Sequence, residues 1–168
     1  MHQEPIFLAD DMVGKLTRWL RIMGFDVAAA GQVDDNDLVR RALDEDRVLL
    51  TRHGRLLDQI TAKDLKPRRG ELRWIVLKSP SYLDQIDQVL EENGLRIDPD
   101  RLFTRCLVCN SPLEPASKEE VAGEVPEFTY SIQESYVRCR TCNKVFWPGT
   151  HTDRILAKLR NLKQWPTE

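Results

Sequence analysis

Residues 5–30 read PIFLADDMVGKLTRWLRIMGFDVAAA, and this stretch sets the expected fold class. The apolar run at 5–9 is short and continuous, which is typical of a strand buried on both faces of a parallel sheet. A helix is expected over 12–23, because apolar residues recur there at helical spacing and Gly24 stands where a C-terminal cap belongs. Residues 25–30 predict a second strand. The stretch therefore predicts a strand–helix–strand unit.

The same alternation of strand and helix continues as far as residue 93. The further predicted elements are a helix that opens in the acidic run 34–37, a strand at 47–51, a helix at 54–65, a strand at 73–78 and a helix at 81–93. Repeated strand–helix pairs predict an α/β domain with a mostly parallel sheet. Asp98, Pro99 and Asp100 mark its expected end, so we assign residues 1–98 to this domain.

All four cysteines of the chain lie in two matched hexapeptides, RCLVCN at 105–110 and RCRTCN at 138–143. Two CxxC pairs bring four thiolates together, which favours a closed, structural zinc site over a redox dithiol. The expected ligands are Cys106, Cys109, Cys139 and Cys142. An asparagine follows each pair and tolerates the left-handed backbone that a tight metal-binding turn needs. We expect a zinc ribbon at 101–150 and a last helix, and assign 99–168 to this second domain.

The chain has 168 residues with 25 basic and 27 acidic side chains, so it is not a globally basic nucleic-acid-binding protein. Basic residues concentrate at 63–73 and 138–163, and acidic residues at 111–137. A local basic patch can bind a polyanion or can be ordinary solvated surface. No apolar run predicts a membrane span, and residues 1–11 lack the layout of a signal peptide. We therefore expect a cytoplasmic protein, where reduced cysteines favour zinc over disulfides.

Candidate catalytic residues gather at the predicted strand ends, where open α/β sheets bind their ligands. Asp10 follows the first strand, Arg52 and His53 follow the third, and Asp34, Asp35 and Asp37 open the helix after the second. Carboxylate oxygens are preferred ligands of Mg²⁺, and such an ion activates water and stabilises the leaving oxygen in phosphodiester cleavage. Asp10 directly follows a buried strand, where an unpaired carboxylate is rare. Asp34 and Asp37 also have a structural interpretation, because helix N-termini favour acids.

A basic stripe lies beside Asp10 on the first predicted helix. Lys15, Arg18 and Arg21 recur there at a spacing of three, next to the apolar face. The stripe could contact phosphate beside a metal site, or it could be a solvated face. Asp11 is expected to cap this helix.

The segment FWPGTH at 146–151 follows the second cysteine pair. We expect Phe146 and Trp147 to fill the space between the ribbon and the α/β domain, and Thr150 or Thr152 to cap the last helix. Three roles remain open for His151: a helix cap, a phosphate contact or proton transfer.

Four stretches carry a resemblance that covers nearly the whole chain. They are FLADDMVGKLTRWLRIMGFDV (7–27), DNDLVRRALDEDRVLLTR (35–52), the two cysteine hexapeptides and FWPGTHTDRI (146–155). Together they resemble the Mut-seven C-terminal RNase domain family. The resemblance implies a PIN-like three-layer α/β sandwich with a zinc ribbon, and metal-dependent RNA cleavage by an acidic cluster that includes Asp10 and Asp37. The family usually has an acid where this chain has His53. His53 could itself bind Mn²⁺, or Asp58, one turn later, could supply the missing carboxylate.

The leading hypothesis is therefore a ribonuclease that cleaves RNA phosphodiester bonds, with Mg²⁺ or Mn²⁺ held by Asp10 and Asp37 and with structural zinc in the ribbon. The expected catalytic residues are Asp10, Asp34, Asp37 and His53. The expected RNA contacts are Lys15, Arg18, Arg21, Arg52, His151 and Arg154. One alternative is a non-catalytic adaptor that binds RNA or the ribosome, which the departure at His53 favours. Another is a protein-interaction module that docks through the ribbon and its acidic insert.

Overall fold

A parallel four-stranded sheet forms the first part of the protein. The computed structural model describes residues 4–56 and 71–166. The strands are β1 (Phe7–Ala9), β2 (Val27–Ala29), β3 (Val48–Thr51) and β4 (Trp74–Val76), in the order β2-β1-β3-β4. Every neighbouring pair is parallel, so the carboxyl ends of all four strands share one edge of the sheet. We call this edge the carboxyl edge.

Helices cover both faces of this sheet. α1 (Gly14–Ile22) and α3 (Tyr82–Glu92) share one core with Phe7 and Ala9 of β1, and α2 (Asp35–Asp44) shares the other core with Leu8. Successive side chains of a strand point to opposite faces, which is why neighbours on β1 belong to different cores. The result is the parallel α/β domain that the strand–helix alternation predicted, in the three-layer form that the family resemblance implied, with β1 and β3 fully buried.

Gly24 ends α1 in a backbone conformation that favours glycine. Its φ is +85°, and its N–H donates to the carbonyl of Arg21 at 3.0 Å, which confirms the predicted cap. A Cβ at this position would lie 2.5 Å from the carbonyl oxygen of Arg101. Glycine is therefore required both by the turn and by the close approach of the short 3-10 turn at Pro99–Arg101.

A smaller antiparallel sheet carries the cysteines. Its strands are β5 (Glu114–Ala116), β6 (Tyr136–Arg138) and β7 (Val145–Phe146), in that order, and α4 (Glu127–Ile132) lies between β5 and β6. A separate small core forms under it from Ala116, Val121, Val125 and Tyr136. This is the ribbon expected at 101–150.

The last helix, α5 (Thr150–Leu159), packs against the α/β core. The N-cap is Gly149, so the expectation of a cap at Thr150 or Thr152 is wrong; the hydroxyl oxygen of Thr152, inside the first turn, accepts a hydrogen bond from the N–H of Gly149 at 3.1 Å. Leu159 is fully buried in the same core as α1 and α3, and Leu162 adds to it. The sequence-based division at residue 98 placed this helix with the ribbon, and that division stays a prediction.

Some expectations concern residues that the structure does not describe. They are most of the helix predicted at 54–65, the candidate ligand Asp58 and the basic residues at 63–70. Across the described ranges, every helix is too short or too polar to cross a membrane.

Candidate active site and metal centre

Asp10 lies where the central strand β1 ends. Its N–H donates to the carbonyl of Leu50 at 3.0 Å, which continues the contact between β1 and β3 by one residue. Its side chain accepts two hydrogen bonds, at Oδ2 from the Thr51 hydroxyl (2.6 Å) and at Oδ1 from the N–H of Met12 (3.4 Å). The second bond caps the 3-10 turn that precedes α1, so the cap is Asp10 and the expectation for Asp11 is wrong. The half-buried Asp10 carboxylate is thereby fixed at the carboxyl edge.

A line of polar contacts runs from Asp10 toward α2. The Thr51 side chain is buried, and its hydroxyl oxygen accepts a hydrogen bond from the N–H of His53 at 3.0 Å. His53 Nδ1 lies 3.6 Å from Oδ2 of Asp35, the first residue of α2. Sequence reasoning chose Asp34 and not Asp35 as a site residue. The sequence did contain a signal for this contact, because His53 and the acidic run 34–37 both follow predicted strands whose ends share one edge of the sheet.

Asp10 and Asp11 form an interacting carboxylate pair. A hydrogen bond with Asp10, then partial loss of hydration and repulsion from the Asp10 charge, raise the pKa of Asp11 above its usual 3.8. Two carboxylates that share a site resist double ionisation. A divalent cation relieves this repulsion, and Mg²⁺ is often bound through one or two carboxylates. A metal-binding role for the Asp10–Asp11 pair is a proposal; Asp11 is exposed, and the sequence predicted only a capping role for it.

The other predicted acids have partners within the protein. Asp34 Oδ1 accepts the N–H of Asp37 at 2.9 Å and so caps α2, and Asp37 Oδ1 lies 2.8 Å from a nitrogen of Arg40. Among residues 4–56 and 71–166, only one group of three or more His, Cys, Asp or Glu side chains is placed to share a metal ion. That group is the four cysteines, whose ligand atoms lie within 4.8 Å of one another. The described acids are thus not gathered into a three-ligand site. Catalytic roles for Asp34, Asp37 and His53 stay predictions.

The four cysteines do converge on one point. Their Sγ atoms lie within 4.8 Å of one another, with 3.6 Å between Cys106 and Cys142 and 3.3 Å between Cys109 and Cys139. A tetrahedron with Zn–S bonds of about 2.3 Å has about 3.8 Å between its sulfur atoms. The cluster is therefore compatible with a tetrahedral zinc site, as its spacing predicted.

Two thiols of the cluster differ in their tendency to ionise. Burial opposes ionisation of Cys109, yet hydrogen bonds with Ser111 and neighbouring thiols lower its pKa to about 6. Burial, followed by hydrogen bonds with Cys139 and Cys106, raises the pKa of Cys142 to about 12. Zinc binding would require all four thiols to be ionised, and the positive charge of the ion would stabilise the four thiolates together.

The two cysteine hexapeptides, here called the first knuckle (105–110) and the second knuckle (138–143), fold alike. Asn110 and Asn143 have φ values of +72° and +54°, which confirms the left-handed conformation expected of them. In each knuckle the leading arginine bonds to the asparagine at its end. Arg105 donates to the carbonyl of Asn110 at 2.9 Å, and Arg138 donates to Oδ1 of Asn143 at 2.8 Å. The arginines therefore help to close the loops that hold the cysteines.

Arg21 joins the first knuckle to the α/β core and does not face solvent. Its side chain is buried, and burial lowers the pKa of its guanidinium. The guanidinium donates to the carbonyls of Val27 (2.8 and 2.9 Å), Leu107 (3.1 Å) and Val108 (3.0 Å). These bonds occupy the side chain, so the expectation that Arg21 contacts RNA is wrong.

Asp26 makes a second link between the α/β core and the first knuckle. Its Oδ1 accepts hydrogen bonds from Arg47 at 2.6 Å and from Asn110 Nδ2 at 2.9 Å, and its Oδ2 lies 3.3 Å from a nitrogen of Arg105. Asn110 also accepts the N–H of Val27 at 3.0 Å. The cysteine cluster is thus anchored to the start of β2, at the edge of the sheet opposite Asp10.

The other predicted RNA contacts are at the surface. Exposed side chains belong to Lys15, Arg18, Arg52, His151 and Arg154. Arg18 is on the outer face of α1, and Arg52 follows β3 at the carboxyl edge. Their contact with RNA stays a prediction that the exposure permits.

Phe146 and Trp147 line a cavity and do not fill it. The cavity measures about 440 Å³ and is also bounded by Phe103, Leu107 and Tyr136. Trp147 keeps 37% of its surface exposed. The expectation that this pair fills the space between the ribbon and the α/β domain stays a prediction.

Comparison with known proteins adds one match. A family model described as Mut7-C RNAse domain matches residues 5–159. No curated protein and no solved structure matches the chain at a significant level. The matched range begins before β1 and ends with α5, so it includes both sheets, the carboxyl edge with Asp10 and the four cysteines.

Proposed function

This chain belongs to the Mut7-C RNAse domain family, and we propose that it is a ribonuclease that cleaves phosphodiester bonds of RNA with the help of Mg²⁺ or Mn²⁺. The observation that carries the proposal is the position of Asp10. Its carboxylate is held by Thr51 at the carboxyl edge, where parallel α/β sheets bind ligands. Asp10 also lies within the residues that match the RNase family model.

The divalent ion would be held by Asp10 and Asp11, whose mutual repulsion it would relieve. When bound, such an ion activates the attacking water and stabilises the leaving oxygen. Thr51 keeps one oxygen of Asp10 in place, and His53 is fixed through the same hydroxyl. Metal-binding roles for Asp34 and Asp37, which open α2, remain part of the proposal, although in this structure Asp34 caps α2 and Asp37 pairs with Arg40.

RNA would approach across exposed basic side chains near the same edge. Lys15, Arg18 and Arg52 would contact phosphates, which position the strand without reading its sequence. The zinc ribbon would have a structural role, because four cysteines leave no open position for chemistry. The four free thiols suit a reducing, cytoplasmic setting.

The experiment is cleavage of labelled single-stranded and structured RNA with Mn²⁺ or Mg²⁺, with and without EDTA. Wild type should cleave only with metal, and Asp10→Asn should lower the rate by about 100-fold or more. Asp44→Asn is the matched control, because Asp44 is exposed at the far end of α2. Cleavage by Asp10→Asn at the wild-type rate would contradict the proposed site.

A second candidate is a non-catalytic protein that binds RNA. It is favoured by the absence of a three-carboxylate set among the described residues and by His53 at a position where the family resemblance led us to expect an acid. This candidate predicts salt-sensitive RNA binding that persists in EDTA, with no cleavage under any metal condition.

A further inference from the structure

Three helices bring two lysines to a stacked pair of aromatic rings, of which Tyr82 is half-buried and Trp19 is buried. Tyr82 of α3 stacks on Trp19 of α1, with ring centroids 5.4 Å apart. Lys15 Nζ lies 4.0 Å from the centroid of the Tyr82 ring. Lys158 Nζ of α5 lies 3.3 Å from the Tyr82 hydroxyl and 5.9 Å from the Trp19 centroid. We call these four residues the Tyr82 cluster.

The lysines of the Tyr82 cluster keep their positive charge available. Within the described part of the chain, no carboxylate oxygen lies within 4 Å of either ammonium group. Both side chains are exposed, and the rings orient them without neutralising them. The contrasting case is Lys118, 5.3 Å from the Tyr130 ring but also 2.8 Å from a carboxylate oxygen of Glu134. Two oriented cations without an acidic partner form a site for an anion.

The cluster lies close to the proposed catalytic edge. Lys15 is the second residue of α1, which begins just after Asp10 and its 3-10 turn. Tyr82 is the first residue of α3, which follows β4 on the same edge. An anion held between Lys15 and Lys158 would therefore lie on the side of the protein where the scissile phosphate is expected.

A basic stripe on α5 extends from the cluster toward the ribbon. His151, Arg154 and Lys158 are exposed and are spaced three and four residues apart, so they lie along one side of the helix. The stripe covers about 10 Å at a rise of about 1.5 Å per residue. It matches an extended polyanion better than a single small anion.

We propose that Lys15 and Lys158, oriented by Tyr82 and Trp19, bind backbone phosphate of single-stranded RNA, and that His151 and Arg154 continue this contact along α5. The inference rests on the proposed function, since it names how that enzyme holds its substrate. Lys158 and Tyr82 are new members of the RNA-binding surface. Tyr82 is a positioning residue, because it acts through the lysines.

The test measures RNA binding without cleavage. Fluorescence anisotropy of a labelled single-stranded RNA is recorded with the full chain in EDTA, at salt concentrations from about 50 to about 200 mM. Each lost phosphate contact should make the slope of log K against log salt shallower by about 0.7. We expect that change for Lys15→Gln and for Lys158→Gln. Lys118→Gln should leave the slope unchanged, because Glu134 already pairs with that lysine.

Two further arms identify the ligand and separate this inference from the enzymatic proposal. Inorganic phosphate at the same concentration should compete weakly, and binding of phosphate as tight as RNA would overturn the assignment to a strand. Unchanged slopes in both lysine variants would overturn the site even if the protein cleaves RNA. Changed slopes in a protein that never cleaves would support the site and contradict the ribonuclease. Circular dichroism checks that each variant is folded.

Discussion

The hydroxyl of Thr51 donates a hydrogen bond of 2.6 Å to Oδ2 of Asp10, across the ends of two neighbouring parallel strands. The same hydroxyl oxygen accepts the N–H of His53 at 3.0 Å. Thr51 is only 1% exposed, so the direction of its hydroxyl is set by the protein and not by water. One buried threonine thus orients the strongest catalytic candidate and the loop that carries His53.

Thr51→Val should remove this orientation with little change of shape. We expect the cleavage rate to fall by about 10- to 100-fold, as for other groups that orient a metal ligand. The free energy of unfolding should fall by about 1 kcal/mol, the usual contribution of one hydrogen bond. Thr17→Val is the matched control, since Thr17 is also buried and donates to the Val13 carbonyl at 3.1 Å. Equal rates for the two variants would contradict the role of Thr51.

His53→Asp should strengthen divalent metal binding, because it adds a carboxylate where His53 Nδ1 lies 3.6 Å from Asp35. We expect the Kd for Mn²⁺, measured by calorimetric titration, to fall by about tenfold. His53→Asn has nearly the same shape without the charge and should not tighten binding. If both variants bind Mn²⁺ equally, His53 is not beside the metal site.

Arg21→Met should destabilise the protein without any nucleic acid present. The variant leaves the carbonyls of Val27, Leu107 and Val108 without their charged donor, so we expect a loss of about 3 kcal/mol in unfolding free energy by urea titration. Arg18→Met on the exposed face of the same helix should change it by less than about 0.5 kcal/mol. Equal stability of the two variants would refute the anchoring role of Arg21.

Asp26 should make stability depend on pH. Burial opposes its ionisation, but hydrogen bonds from Arg47 and Asn110 lower the pKa of Asp26 below its usual 3.8. At a pH between the lowered pKa and the usual value, the Asp26 carboxylate is therefore ionised in the folded state but protonated in the unfolded state. This stabilisation is present above about pH 4 and is lost as pH falls through the lowered pKa.

Asp26→Asn measures this contribution. At pH 7 the variant should lose about 2 kcal/mol of unfolding free energy, because Arg105 loses its anionic partner and Arg47 keeps only Glu45. The difference from wild type should shrink as pH falls from about 4 to about 2. Asp100→Asn, at an exposed position, provides the control in the same urea titrations. A difference that stays constant over this range would contradict the lowered pKa.

Zinc removal should affect the whole chain and not the ribbon alone. Elemental analysis should find about one zinc ion per chain. Free zinc at about 1,000 times its Kd stabilises the folded state by about 4 kcal/mol. A strong chelator removes the zinc and should abolish this stabilisation. Because Asn110 and Arg21 tie the first knuckle to β2, the melting transition of the α/β core should fall as well. A core transition that is unchanged after chelation would contradict this coupling.

Local pattern was sufficient for the elements of the fold. The continuous apolar runs of β1 and β3 predicted strands buried on both faces, since parallel strands under two helical layers need apolar side chains on each side. The spacing of four cysteines predicted their convergence, and the asparagine after each pair predicted the left-handed turns. The strands and turns depend on neighbours a few residues apart, which the sequence displays directly, and the convergence of the two cysteine pairs follows from the number of ligands that a zinc site needs.

Tertiary structure alone decided which side chains meet. Lys15, Arg18 and Arg21 have the same helical spacing, but the end of α1 meets a loop 86 residues later, so Arg21 is buried while the others stay exposed. The Tyr82 cluster likewise joins three helices that are far apart in sequence. Periodicity records which face of an element is apolar, whereas contacts between distant elements depend on how those faces pack, and that is set only when the chain folds.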